Sequence, residues 1–440
     1  MKKNKKFKIG KKTYSKAKKI ILNGNMQISK NPEQFLGNNW PNYFLKTKGC
    51  DVWDLDGNKF HDLSLMGVGT NILGYSNKTI DNAVKNVVRD GNMSTLNCKE
   101  EVYLAEKLIE MHPWAKMVKF ARTGGEANSI AIRIARAASG RDNVAFCGYH
   151  GWHDWYLATN INNKKNLNNH LLKGISTLGV PAGLKGSIFP FTYNDFEGLE
   201  SIIKKNKIGV ICMEVMRNIP PKDNFLKKVR KIADKNNIVL IFDECTSGFR
   251  KNFGGLHLHF NVKPDLALFG KALGNGYAIT AVIGKKSVME TAQKCFISST
   301  FWTERIGPTA ALATLKTMKE KKSWKIIDKN GDYIIQNWKR LASEHNLPIE
   351  IFGLPSMCSF NFKLKNFLKY KTLITQEMLK KGFLASNIIY SSISHSKKIL
   401  EKYFYELDKI FKIIQKCEDG LDVKKLLKSK NKSSNFQRLN

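Results

Sequence analysis

The chain has 440 residues, of which 42% are hydrophobic and 10% aromatic, and its formal net charge is +36. This composition excludes a disordered chain, and the length excludes one simple core, so two packed domains or one large domain with appendages are expected. The charge admits attraction to nucleic acid or anionic surfaces, or a drift in which Lys and Asn replace other polar residues over the whole surface. The lysines are spread along the chain, which favours drift over a nucleic-acid partner. The densest run, "MKKNKKFKIGKK", reads as a solvated arm.

Eight cysteines occur, at 50, 98, 147, 212, 245, 295, 358 and 417, with no CxxC pair and no zinc-ligand spacing. Scattered thiols in a long chain point to a reducing, cytoplasmic setting. The basic N-terminus lacks a signal-peptide apolar core, and no run approaches the roughly 18 to 20 apolar residues of a membrane span.

In chain order, "YSKAKKIILNG" reads as a short helix stopped by Gly24. "CDVWDLDGNKFHDLS" reads as a hairpin turning at Asp56-Gly57. From about residue 76, helical stretches such as "EEVYLAEKLIEMH" and "EANSIAIRIARAAS" alternate with apolar strands: "MVKFA", "NVAFCG", "IGVICMEV", "NIVLIFDE" and "DLALFGK". That alternation predicts an α/β domain with a mainly parallel sheet flanked by helices. From about residue 318 the chain is lysine-rich and helical with a few strands, a smaller α+β domain ending in "KKILEKYFYELDKIFKIIQKC". The tail "KSKNKSSNFQRLN" reads as a surface strap or disordered. The expected division is 1–75, 76–317 and 318–440.

Ligands of open α/β sheets bind beyond the carboxyl ends of the strands. "NIVLIFDE" ends in Asp243 and Glu244, and a buried carboxylate there needs a partner: a cap or salt bridge on one reading, a cationic ligand nitrogen on the other. "DLALFGK" ends at Lys271, which is set among Gly270, Ala272, Gly274 and Gly276, so a bulky partner has room to approach its amine. Together they make the pair expected around pyridoxal phosphate, in which the lysine holds the aldehyde and the aspartate keeps the pyridine nitrogen protonated. Thr123-Gly124-Gly125 opens a helix and suits a phosphate, or is merely a glycine-softened helix entry. Tyr149, between Gly148 and Gly151, has a ring for stacking on a planar ligand, or simply packs. The neighbouring histidines lack a carboxylate or thiol to complete a metal site.

"LIFDECTSGFR", then "LFGKALGNG", "GYHGWHD" and "VWDLDGNKFHDLS", resemble the class III, fold-type I pyridoxal-phosphate enzymes, above all glutamate-1-semialdehyde 2,1-aminomutase and its aminotransferase relatives. The likeness is good over roughly residues 45 to 315 and loose beyond. It implies a Schiff-base Lys271, a pyridinium partner Asp243, Tyr149 on one ring face and Cys245, where the family usually has valine, against the other. It places Thr123, Gly124 and Gly125 at the phosphate, with Gly125 departing from the family's threonine. It assigns Glu214 to the cofactor surroundings, although the family's "EP" is here Glu214-Val215, followed by "MRN". It implies a homodimer in which Thr303, selected by its offset to Pro308, reaches the neighbouring subunit's phosphate. "GFLASNIIYSSISHS" lacks both the aminomutase's glutamate and the arginine that holds substrate carboxylates in many of the transaminases. The expected activity is therefore amino transfer between an amino donor and a small carbonyl acceptor, such as a keto sugar or its acid, through a lysine aldimine. The alternatives are the intramolecular aminomutase and, in a different class, a basic non-enzymatic binding protein on the same fold.

Overall fold

The computed structural model describes residues 7–171 and 173–428; the expected tail from 429 onward and the first six residues of the basic run lie outside the described residues. The chain packs as two units. One is continuous, Lys78–Lys325; the other joins the chain up to Asn77 with the chain from Ile326.

The discontinuous unit opens with a helix over Lys8–Ile20, which starts and stops earlier than the sequence suggests. Ile21 is already extended, and Gly24 closes a separate short turn. Strands β1 (Phe44–Lys48), β2 (Asp51–Asp54) and β3 (Lys59–Leu63) follow. β2 and β3 form the expected antiparallel hairpin, with Val52 opposite Phe60. Gly57 takes φ 79° at its turn, and the Asp54 carboxylate accepts the N–H groups of Asp56 (3.0 Å) and Asn58 (2.8 Å). That is an Asx-type turn, in which a short side chain stands in for a backbone acceptor.

The continuous unit carries β4 (Met117–Ala121), β5 (Asn143–Cys147), β6 (Ile188–Pro190), β7 (Ile208–Glu214), β8 (Val239–Glu244), β9 (Leu266–Phe269) and β10 (Thr280–Gly284) in one sheet, ordered β4-β10-β9-β8-β7-β5-β6. β5 to β9 pair in parallel, whereas β10 lies antiparallel between β4 and β9. β7 and β8 are buried throughout, which is why they read as continuous apolar runs rather than alternating ones. The helix Gly124–Ser139 buries Ala127, Ile130, Ala131, Ile134 and Ala135 at helical spacing. They pack against Val210, Cys212, Ile241, Leu268 and Val282 of the sheet.

Back in the discontinuous unit, β11 (Ile349–Phe352), β12 (Met357–Phe362) and β14 (Ile388–Tyr390) form a three-stranded sheet. β13 (Phe383–Ala385) instead pairs in parallel with β3. Trp338, Phe360, Tyr370, Tyr403 and Phe411, all fully buried, centre this unit's core. Among the described residues, no helix is long and apolar enough to cross a membrane.

Candidate active site

The carboxyl ends of β4, β5, β7, β8 and β9, together with the start of β10, lie at one edge of the large sheet, because β10 alone runs the other way. Asp243 ends β8 and is buried, yet it is well supplied with donors. Its Oδ2 accepts from Asn128 Nδ2 (2.8 Å) and faces His150 Nδ1 (2.9 Å), while Oδ1 accepts the Cys245 N–H (3.0 Å). Burial would raise this carboxyl's pKa, but His150, Asn128 and the Cys245 amide outweigh it and hold the value below the ordinary one. His150 Nε2 faces the Cys147 carbonyl at 3.1 Å, and a carbonyl only accepts. Both ring nitrogens therefore carry protons. Burial opposes that charge, but contacts with Cys212 and Asp243 override it and raise the pKa well above the ordinary value.

Lys271 follows β9 and its backbone takes φ 42°, the left-handed region that is costly for a residue with a side chain. Its Nζ donates to Thr246 Oγ1 at 2.7 Å. A Cβ at Gly270 would sit 3.0 Å from Thr280 Cγ2 and 3.4 Å from Cys245 Sγ, and one at Gly124 would sit 3.7 Å from the same sulfur. Half-buried Cys245 thus marks the point where the ends of β4, β8 and β9 converge. Burial and the adjacent Asp243 charge hold its thiol well above the usual range, so it is a neutral packing group.

Thr123 caps the helix Gly124–Ser139 in a capping box with Glu126. Its hydroxyl is engaged with that carboxylate (3.1 Å), and its own N–H donates to Glu126 Oε2 (2.8 Å). The first intrahelical bond runs from Ala127 N–H to the Thr123 carbonyl. The N–H groups of Gly124 and Gly125 make no hydrogen bond among the described residues. Trp302 Nε1 also donates to Glu126 (3.1 Å), and Arg122 Nε pairs with Glu304 at 2.8 Å. Thr303, on this same segment, is exposed and donates to the Thr300 carbonyl (2.8 Å).

Glu214 lies under the β5 loop. Its Oε2 accepts the Tyr149 N–H (3.2 Å), and Oε1 meets Arg217 Nη1 (3.3 Å). Gly148, at φ 110°, leaves the space this requires, since a Cβ there would lie 2.7 Å from Glu214 Oε2. Glu244 takes the bland course that its position allowed: His257 Nδ1 at 2.5 Å and the backbone N–H groups of Leu256 and His257 enclose it.

The residues present fit pyridoxal phosphate. They offer a carboxylate held ionised for a pyridinium, an amine on a strained turn for an aldehyde, open glycine amides for a phosphate, and glycines where a ring needs clearance.

The profile of class III aminotransferases matches residues 37–418. The chain belongs to the class III aminotransferases. A 3-aminobutyryl-CoA aminotransferase from Cloacimonas acidaminovorans is 34% identical over 373 residues, 82% of this chain and 86% of that protein. A glutamate-1-semialdehyde 2,1-aminomutase from Methanococcus maripaludis is 32% identical over 393 residues, covering 83% of this chain and 90% of that protein. Among solved structures, the pyridoxal-phosphate form of FumI from Sphingopyxis superposes with TM-score 0.84 over 95% of this chain and 99% of FumI, at 22% identity. A glutamate-1-semialdehyde aminomutase from Pseudomonas aeruginosa does so at TM-score 0.78, 16% identity, 92% of this chain and 94% of that one. This class III chain is therefore a fold-type I, pyridoxal-phosphate-dependent enzyme, and the non-enzymatic binding protein falls.

Proposed function

We propose that this class III enzyme transfers an amino group between two small molecules, with Lys271 and Asp243 as its catalytic residues. The single observation that supports this most is the pairing of a carboxylate locked between His150 and Asn128 with an amine on the next strand end. When bound, pyridoxal phosphate supplies an aldehyde and an electron-withdrawing ring. Asp243 would keep a proton on the ring nitrogen. Lys271 Nζ, kept in place by Thr246 Oγ1, would hold the aldehyde and, when free, carry a proton to and from the reacting carbon. Tyr149 would cover one ring face and Cys245 the other. Gly124 and Gly125 donate their amides to the phosphate, while Thr123 keeps them open by capping with Glu126. Glu214 secures the Tyr149 loop beside the ring. Thr303, exposed and on a segment next to exposed Phe301, serves the partner subunit's phosphate in a homodimer.

The acceptor we favour is a small carbonyl compound outside the common keto acids, such as a keto sugar or its acid, because the C-terminal segment lacks the carboxylate-binding arginine. Intramolecular transfer is the second reading, favoured by the aminomutase relative at 32% identity. A half-reaction screen separates them. Cofactor-loaded protein is mixed singly with amino acids and amino sugars, and loss of the visible band is followed alongside release of a carbonyl product. Stoichiometric release from one donor supports transfer between molecules. Turnover of glutamate-1-semialdehyde, added as a further arm of the screen, without any released carbonyl product overturns it.

A further inference from the structure

The phosphate end of this site is short of donors. Of Thr123, Gly124 and Gly125, the first commits both its hydroxyl and its N–H to Glu126, which leaves two backbone amides. Glu126 also brings a carboxylate into the same helical turn, its Oε1 taking the Trp302 indole N–H and its Oε2 the N–H groups of Arg122 and Thr123 and the Thr123 hydroxyl. With the Thr303 hydroxyl that the proposed homodimer adds, these amides make three neutral donors, and a phosphate dianion with three acceptor oxygens has room for more.

The space beside Gly125 is already filled. A Cβ on Gly125 would lie 3.1 Å from His153 Nε2 and 3.2 Å from its Cδ2. Gly151, at φ 103°, lets this loop descend onto the helix start, because its own Cβ would lie 2.9 Å from Gly125 Cα. His153 Nδ1 is hydrogen-bonded to Ser129 Oγ, one turn further along the same helix. Burial lowers this imidazole's pKa, while Glu126 and Asp154 oppose the change, so the ring is neutral near pH 7. The Ser129 hydroxyl can donate to Nδ1 or accept from it, and when it donates, the neutral ring carries its proton on Nε2. That nitrogen makes no hydrogen bond among the described residues.

We infer that His153 is a cofactor-binding residue: its Nε2–H donates to the phosphate of pyridoxal phosphate, in the space that the bare Gly125 vacates, and Ser129 sets its tautomer. This rests on the reading of the Gly124-Gly125 turn as the phosphate site. In that arrangement a smaller residue at 125 and a histidine at 153 form one device. A side chain at 125 would press its Cβ to 3.1 Å from the ring and make the donor give way by a few tenths of an ångström.

The test compares affinities for pyridoxal phosphate and for pyridoxal, which lacks the phosphate, on apo-protein by equilibrium dialysis. The ratio of the two dissociation constants isolates the phosphate contacts, because Lys271 and the ring contacts act on both ligands. H153A should reduce the wild-type preference for the phosphorylated ligand by about tenfold or more. S129A should reduce it in the same direction by less, and H153Q, which keeps a donor, should retain part of it. The 31P resonance of bound cofactor should shift in H153A. An H153A ratio equal to wild type overturns the inference. So does a loss seen in W152F but not in H153A, since the Trp152 indole nitrogen lies 3.7 Å from the same point. Should H153A not fold, wild-type ratios in both H153Q and S129A overturn it equally. If the wild-type protein itself shows no preference for the phosphorylated ligand, the phosphate-site reading fails first, which separates the two outcomes.

Discussion

Asp243→Asn keeps the shape of the side chain at the end of β8 and removes its charge. In the wild type, Oδ2 takes two donors and Oδ1 a third. Either orientation of an amide at this place turns an N–H toward another N–H. Breaking one partner of a buried pair costs about 3–5 kcal/mol, and the retained amide oxygen puts this variant near the low end, about 3 kcal/mol. For a unit the size of Lys78–Lys325, each kcal/mol lowers Tm by about 2–4 °C, so a fall of about 6–12 °C is expected near pH 6. The pH dependence is more telling. In the wild type, His150 titrates above its ordinary value, so its contribution is complete below about 6.5 and is lost as pH rises toward the raised value. Asp243 contributes above its ordinary value and loses that contribution only as pH falls through its lowered one. Without the carboxylate, His150 keeps only the Cys212 contacts against burial, so its raised pKa falls back and the variant has less stability to lose as pH rises above about 6.5. The Tm deficit of D243N should narrow between about pH 6 and 8, by at most about 1.4 kcal/mol per pH unit. Scanning fluorimetry of both apo-proteins across that range measures it, and half-reaction rates should fall to a small fraction of wild type. A deficit that does not change with pH, or a near-normal half-reaction rate, refutes the ion-pair assignment.

Lys271→Ala should abolish turnover yet still bind the cofactor noncovalently, and borohydride reduction of the wild type followed by peptide mapping should label Lys271; a label on any other lysine removes it from the mechanism. Thr303→Ala should weaken cofactor binding by about tenfold to a hundredfold, the range for hydrogen bonds to a charged group. Mixed dimers of Lys271→Ala with a Thr303→Ala chain carrying a second phosphate-site lesion should regain activity at one of their two sites, and an active monomer in sedimentation would exclude the shared site. Gly148→Ala places a Cβ 2.7 Å from Glu214 Oε2 at a positive φ, so it should displace the Tyr149 loop and weaken binding of pyridoxal and pyridoxal phosphate alike; unchanged affinity for both would dissociate the loop from the ring.

Five of the seven strands of the large sheet, β4, β5, β7, β8 and β9, were legible because a strand buried on both faces leaves a local signature, an apolar run with punctuation at its end, whereas β6 and β10 were not read as strands. Lys271 stood out for the same reason: its context is contiguous in sequence. What secures these residues was not legible. Asn128 and His150 reach Asp243 from 115 and 93 residues away, and nothing local in "GGEAN" or "GYHG" announces that they meet on one carboxylate. Thr246, 25 residues from Lys271, was hidden in the same way. β10 was missed altogether, and its reversed direction leaves no local mark either, since an antiparallel strand with both faces covered reads like a parallel one. Glu244 shows the converse limit. Adjacent to Asp243 and of the same charge, it was separable from it only by the histidine on a distant turn that encloses it.

β3 finds its parallel neighbour β13 about 320 residues later in the chain. During synthesis at about 5–20 residues per second, the first three strands therefore emerge roughly 15 to 65 s before that neighbour exists. The continuous unit, complete by Lys325, is free to fold in that interval, while β3 waits with an open edge. Such an edge is a template for pairing with other chains. Truncation anywhere before Phe383 would make that waiting state permanent, so nonsense and frameshift products of this gene are expected to aggregate through residues 59–63 rather than accumulate as a soluble, cofactor-loaded remnant.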